Sequence, residues 1–221
     1  AFLPVPSRRV LVVQSEHARD PAFIRTVQAL PAPTEIVTLD AVTDGQATSA
    51  HLGVAKVDED TPVLVAPCDA GYTYDLDALG ALERGDGPDL AVFSARDHLP
   101  ARWRPAMYGW LATDEAKRAR AVAVKEIVPN VELAQQEALT GTFWFKSRRL
   151  YDELYAALRA SGERVRGEFY VDTMARQAVA RGFDVRAFTV DKFIPWGTPE
   201  ELATFNYWND VFRAGRPLHE S

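Results

Sequence analysis

The feature that most constrains the fold is the stretch Thr61-Pro62-Val63-Leu64-Val65-Ala66-Pro67-Cys68-Asp69-Ala70-Gly71. Its short apolar core has no polar alternation, which predicts a strand buried on both faces, as in a parallel sheet covered by helices. The run ends in an acid and a glycine. In open α/β sheets ligands bind beyond the carboxyl ends of the strands. Asp69 falls at such an end, on a turn that Gly71 lets bend tightly. An acid in that place is either a metal ligand or a turn former.

The rest of the chain repeats the theme. Arg9–Gln14, Glu35–Thr38, Leu90–Ala95, Ala138–Phe145 and Val185–Val190 predict further strands. Helices are predicted after Asp20-Pro21 to about Leu30, in the small-residue stretch ending near Val57, and over Leu76–Leu82, Ser147–Ala160 and Tyr170–Arg181. Leu150, Leu154 and Leu158 give Ser147–Ala160 a core-facing stripe. Residues 97–105, rich in arginine and proline, read as a loop over the carboxyl edge of the sheet. Tyr108–Thr113 and Ala119–Val124 predict an antiparallel pair about the polar turn Asp114–Lys117. In the final helix Thr198 caps, Pro199 takes the first helical position and Glu201 completes a capping box. Leu202, Phe205, Trp208 and Phe212 then share one face, expected to be core or the contact surface of a homo-oligomer. Alternating strands and helices predict an α/β fold: a Rossmann-like three-layer α/β/α sandwich with a mainly parallel central sheet and a small antiparallel excursion.

Composition narrows the function. At 221 residues, with 47% hydrophobic and 25% charged residues, the chain suits one α/β domain that fills a core. A net charge of −6 gives no support for a nucleic-acid surface. No apolar run reaches the ~20 residues of a membrane helix. The single cysteine, Cys68, excludes an internal disulfide and a cysteine-based metal cluster, so the cytoplasm is the expected compartment. The histidines show no ligand spacing.

Several phrases, in order, resemble the nucleotidyltransferases that make nucleoside-diphosphate sugars and related activated phosphates. They are Thr43-Asp44-Gly45-Gln46-Ala47-Thr48, Val65–Asp69, Tyr108-Gly109, Val124-Lys125-Glu126, Thr140–Lys146, Gly167–Asp172 and Trp196–Leu202. The ending Phe205-Asn206-Tyr207-Trp208 is similar to a subgroup of surface-polysaccharide and phosphonate pathways. Together they span about Arg9 to Phe212. The family's opening strand and Gly-rich loop have no match here. Ala1–Pro6 resembles the segment that follows them, so the expectation is a single domain whose first strand and loop lie outside this sequence.

The resemblance implies attack of a phosphate or phosphonate oxygen on the α-phosphorus of a nucleoside triphosphate, with release of pyrophosphate and with Mg²⁺ as cofactor. It implies Asp69 as catalytic carboxylate and metal ligand, and Lys125 on the acceptor phosphate. It implies Gly45, Gln46 and Thr48 at the nucleotide, and Tyr108, Gly109, Gly141, Glu168 and Asp172 at the acceptor. The family's second metal acid falls on Pro195, which leaves Asp191 as the nearest candidate. The partners implied are a nucleoside triphosphate and a small phosphorylated acceptor. Two alternatives stand beside this: a CTP-dependent transferase for a non-sugar acceptor, and a non-catalytic nucleotide-sugar binder. A glycosyltransferase of the same fold is disfavoured, because Gly71 stands where the second acid of its Asp-x-Asp would be.

Overall fold

The computed structural model describes residues 8–82, 84 and 87–214. Ala1–Pro6 lies outside them. The strands are β1 (Arg9–Gln14), β2 (Thr34–Leu39), β3 (Val63–Val65), β4 (Ala70–Thr73), β5 (Leu90–Ala95), β6 (Trp110–Thr113), β7 (Ala119–Ala123), β8 (Glu137–Phe145), β9 (Val185–Val190) and β10 (Lys192–Pro195). The helices are α1 (Ser15–Arg19), α2 (Pro21–Gln28), α3 (Gln46–Val54), α4 (Leu76–Ala81), α5 (Leu99–Trp103), α6 (Arg148–Ser161), α7 (Val171–Ala180) and α8 (Pro199–Arg213). No helix among the described residues is long and apolar enough to cross a membrane.

The central sheet runs β7-β6-β8-β5-β9, with β3 on the free stretch of β8 beyond β6. Strands β3, β5, β6 and β9 run one way, β7 and β8 the other. The common direction follows from the βαβ alternation in sequence. The exception is β8, which enters from the β6–β7 excursion and not from a helix, so it lies antiparallel to β3, β5 and β6. Successive side chains of β8 point to opposite faces. Phe143 and Phe145 pack with Leu150, Leu154 and Leu158 of α6 and Met174 of α7. Trp144 packs the other way, with Phe93, Tyr72, Phe188 and Leu79 of α4. These two clusters make the three layers, and each fully buried large side chain contributes roughly 1.5–3 kcal/mol.

Four expectations need correction. β3 is half-buried and only three residues long, because β8 is its one ladder partner among the described residues. β1 and β2 form a separate parallel pair, also half-buried, tied to the rest through α3, whose Gly53 packs on Val10 and Val12. The segment read as a loop at residues 97–105 contains α5. The aromatic stripe of α8 is not core: no residue of that helix is buried, and Leu202, Trp208 and Phe212 are exposed. The cap of α8 is as the sequence predicts, with Thr198 and Glu201 bonded reciprocally.

Candidate active site

Asp69 is exposed in the bend between β3 and β4. Its carbonyl accepts a hydrogen bond from the Trp196 N–H at 2.7 Å. That bond continues the β4–β10 ribbon past the Pro195–Ala70 pair and lays the Gly197–Thr198 turn across the carboxylate. A Cβ on Gly197 would stand 3.0 Å from Asp69 Oδ2 and 3.8 Å from Glu201 Oε2. The missing side chain therefore lets the turn lie against the Asp69 carboxylate, with the Glu201 carboxylate close to the same Cα. Glu201 is held there by its own cap: its Oε2 accepts from the Thr198 N–H at 3.1 Å. Sequence reasoning took Glu201 only as a capping residue. The signal for more was that a capping-box acid folds back over the turn before its helix, here the turn that crosses Asp69.

Asp191 does not join Asp69. The ribbon β10 lies between them, with Asp191 bonded through its N–H to Thr73 at one end and Trp196 bonded to Asp69 at the other. Five residues of extended chain amount to ~17 Å, too far for one ion. The donor set at Gly197 does fit magnesium, which takes one or two protein carboxylates and completes its shell with phosphate and water. Among the described residues no cluster of three or more His, Cys, Asp or Glu suits a metal ion, so a shared-ligand site of that kind is the one the carboxylate pair supports.

A second corner gathers around Tyr108-Gly109. Asp172, in the first turn of α7, is buried. A Cβ on Gly109 would overlap its carboxylate and stand 2.6 Å from Leu139 Cδ1, so only glycine fits against it. Burial raises the Asp172 pKa to about 6, against the pull of the Lys125 charge and of its own backbone N–H. Lys125 follows β7 in left-handed backbone (φ 58°), a conformation costly for a side-chain-bearing residue. Its Nζ donates to the Met107 carbonyl at 2.7 Å and lies 5.5 Å from the centre of the Tyr170 ring. Lys125 is thus aimed inward, past the end of the edge strand where the sequence placed it. Tyr108 is half-buried, edge-on to His98 and Phe193. Its pKa is raised by burial and by the charge of Glu201, which connects this corner to the Asp69 corner. Glu168 is exposed and precedes α7, whose N-cap is Tyr170, so Glu168 and Asp172 do not share a helix face.

The third corner is the start of α3. Gly141 sits in β8 with φ 83°, where the register with β5 slips between Val92 and Ser94. A Cβ on it would stand 3.4 Å from Pro67 Cγ and 3.9 Å from Gln46 Nε2. Gln46 and Gly141 therefore flank the bend that carries Asp69. Gly45 and Thr48 are different. A Cβ on Gly45, at φ 138°, would overlap the Phe169 backbone nitrogen and stand 2.6 Å from its carbonyl oxygen. The bare Cα of Gly45 faces protein. The Phe169 N–H donates to the Asp44 carbonyl at 3.0 Å, and the Ala47 N–H donates to the Phe169 carbonyl at 2.9 Å. Thr48 donates to Asp44 at 2.5 Å and accepts from the Tyr155 hydroxyl at 3.2 Å. Thr48 and Arg159 hold the Asp44 carboxyl at about 2. Asp44 makes no side-chain cap bond to α3, and both Gly45 and Thr48 contact protein on the sides described.

Beside the site, β10, α5 and the stripe of α8 enclose an aromatic concavity of about 1010 Å³, floored by Phe193 and His98 and walled by Trp103, Phe205, Trp208 and Phe212.

No protein-family model matches the sequence, and no curated protein matches it. Solved structures do. A nucleoside-diphosphate-sugar pyrophosphorylase from Vibrio cholerae RC9 superposes with a TM-score of 0.68 at 20% identity, over 90% of this chain and 80% of that one. The inositol-1-phosphate CTP transferase from T. maritima gives 0.65 at 17%, over 91% and 75%. A CMP:2-keto-3-deoxy-manno-octonic acid synthetase complexed with CTP gives 0.62 at 14%, over 93% and 99%. The fold of this chain is the α/β fold that these nucleotidyltransferases share.

Proposed function

We propose that the chain is a nucleotidyltransferase. It joins the nucleoside monophosphate of a triphosphate to a sugar 1-phosphate or another small phosphorylated or phosphonate acceptor, and releases pyrophosphate. The observation that carries this is the pair of carboxylates, Asp69 and Glu201, that converge on the bare Cα of Gly197. Such chemistry asks little covalent help of a protein; it asks for in-line positioning and neutralised charge. Asp69, with Glu201, would hold Mg²⁺, which when bound offsets the negative charge of the triphosphate. Gln46, beside Gly141 and Pro67, offers its amide to the base. The Lys125 ammonium, fixed by the Met107 carbonyl, draws the acceptor phosphate toward Tyr108-Gly109.

A second reading, a cytidylyl transfer to a non-sugar acceptor, is favoured by the inositol-1-phosphate CTP transferase of the same fold. Both are tested by pyrophosphate release with Mg²⁺, pairing four nucleoside triphosphates with sugar phosphates, phosphorylated alcohols and phosphonates. One nucleotide–acceptor pair should stand out, and Asp69→Asn should lower its rate at least ~10³-fold. Nucleotide binding without pyrophosphate from any pair would instead identify a binding domain.

A further inference from the structure

We infer that Tyr72 is a positioning residue for the nucleotide: its hydroxyl clamps a bulge of β8 and so sets where Gly141 stands against the Asp69 bend. The inference rests on the nucleotidyl-transfer reading and names a residue which that reading leaves unused.

The bulge is large. Val92 of β5 pairs with Phe143 and Ser94 pairs with Leu139, so Phe93 stands opposite Thr140, Gly141 and Thr142. It begins where β3 ends, since the final β3 pair is Val65 with Phe143. Bulges beside a site re-aim the chain toward it. Here the bulge carries Gly141, at φ 83°, against Pro67 and beside the Gln46 amide.

A bulge also breaks the ladder. Thr140 and Thr142 are buried, so their polar groups need partners inside the protein. Thr140 Oγ1 donates to the Phe93 carbonyl at 3.1 Å. The Tyr72 hydroxyl donates to the Thr140 carbonyl at 3.3 Å and meets Thr142 Oγ1 at 2.9 Å. One phenol thus bonds both residues that flank Gly141. Burial raises its pKa, so it keeps the proton it donates. Its ring is fixed in turn, stacked on Phe193 at 5.8 Å between centres and edge-on to Phe93 at 6.3 Å. Tyr72 lies in β4, whose ladder is with β10 and not with β8. The hydroxyl therefore ties the strand that leaves Asp69 to the strand that carries Gly141. A buried polar network of this kind fixes geometry at a cost that an apolar contact would not carry.

Tyr72→Phe keeps the ring and removes the tie. In pyrophosphate release the nucleotide KM should rise at least ~tenfold while kcat stays within about threefold, because Asp69 remains bonded to Trp196. The acceptor KM should stay within about twofold. Adding Thr142→Val removes the hydroxyl left unpaired in the core. Stability in urea should then return toward that of the unsubstituted chain while the nucleotide KM stays raised. A nucleotide KM that Tyr72→Phe leaves unchanged, or that recovers together with stability in the double variant, overturns the inference. If the unsubstituted chain releases no pyrophosphate, the reaction fails and calorimetric binding of a nucleoside triphosphate with Mg²⁺ decides the clamp. Tyr72→Phe should then weaken binding at least ~tenfold; a smaller effect, or no binding by the unsubstituted chain, overturns it.

Discussion

Asp172→Asn isolates one charge that the fold holds at a cost. The carboxyl is buried under Gly109, and its pKa of about 6 lies well above the ordinary aspartate value of 3.8. Between those values the unfolded chain is ionised while the folded chain holds its proton. Stability therefore falls as pH rises through this window, by about 1.4 kcal/mol per unit and by ~3 kcal/mol in all. Well above the folded pKa of about 6 both states are ionised and this contribution is flat. Asparagine keeps the shape and carries no charge. In urea unfolding, the stability of Asp172→Asn relative to the unsubstituted chain should rise by ~3 kcal/mol from pH 4 to pH 7 and level off there. The comparison cancels every other titrating group that the substitution leaves alone. A difference that does not vary with pH would refute the claim that burial dominates at this carboxyl. A difference that falls would mean that the Lys125 charge wins.

Three further outcomes follow. Glu137 is buried and accepts from Ser94 at 2.6 Å, Thr189 at 2.8 Å and Arg96, with Lys117 at 3.3 Å. Burial alone would raise its pKa, but these donors hold it below the ordinary value. Its stabilisation is therefore present at neutral pH and lost on acidification, and Glu137→Gln should cost ~2–4 kcal/mol at pH 7 and less in acid, read by urea unfolding. Gly45→Ala should lower stability by ~3 kcal/mol or more, from overlap with the Phe169 backbone and from the φ of 138°, read as a drop in thermal midpoint. Asp191→Asn should leave pyrophosphate release within about twofold of the unsubstituted chain, since ~17 Å of ribbon separates it from Asp69.

Much of the scaffold is legible in the sequence because the signals are local. The Thr-Pro-Glu-Glu grammar places the start of α8, and short, mostly apolar runs place β5 and β9. What is illegible depends on partners remote in sequence. The ribbon strand β10 hides because Lys192 and Pro195 suit no strand by propensity, and only its ladder with β4 makes it one. The reversed direction of β8 cannot be read from a run that looks like its parallel neighbours. At the site, family-like phrases mark Asp69, Lys125, Gly109, Gly141 and Asp172 as candidates, and each is placed by its own local packing. The packing of Gly45 and Thr48 is illegible because Phe169, Asp44 and Tyr155, which contact them, arrive through tertiary structure. Glu201 is overlooked because one carboxylate both caps a helix and faces Asp69.

The backbone rung that joins Asp44 and Ala47 to Phe169 ties two stretches of chain more than a hundred residues apart. One leads into Gln46, and the other lies between Glu168 and Asp172. Neither stretch can peel away without stripping amide partners from the other. The wall beside the Asp69 bend and the wall beneath Tyr108-Gly109 therefore behave as a single plate, and anything that displaces one edge of it is felt along both.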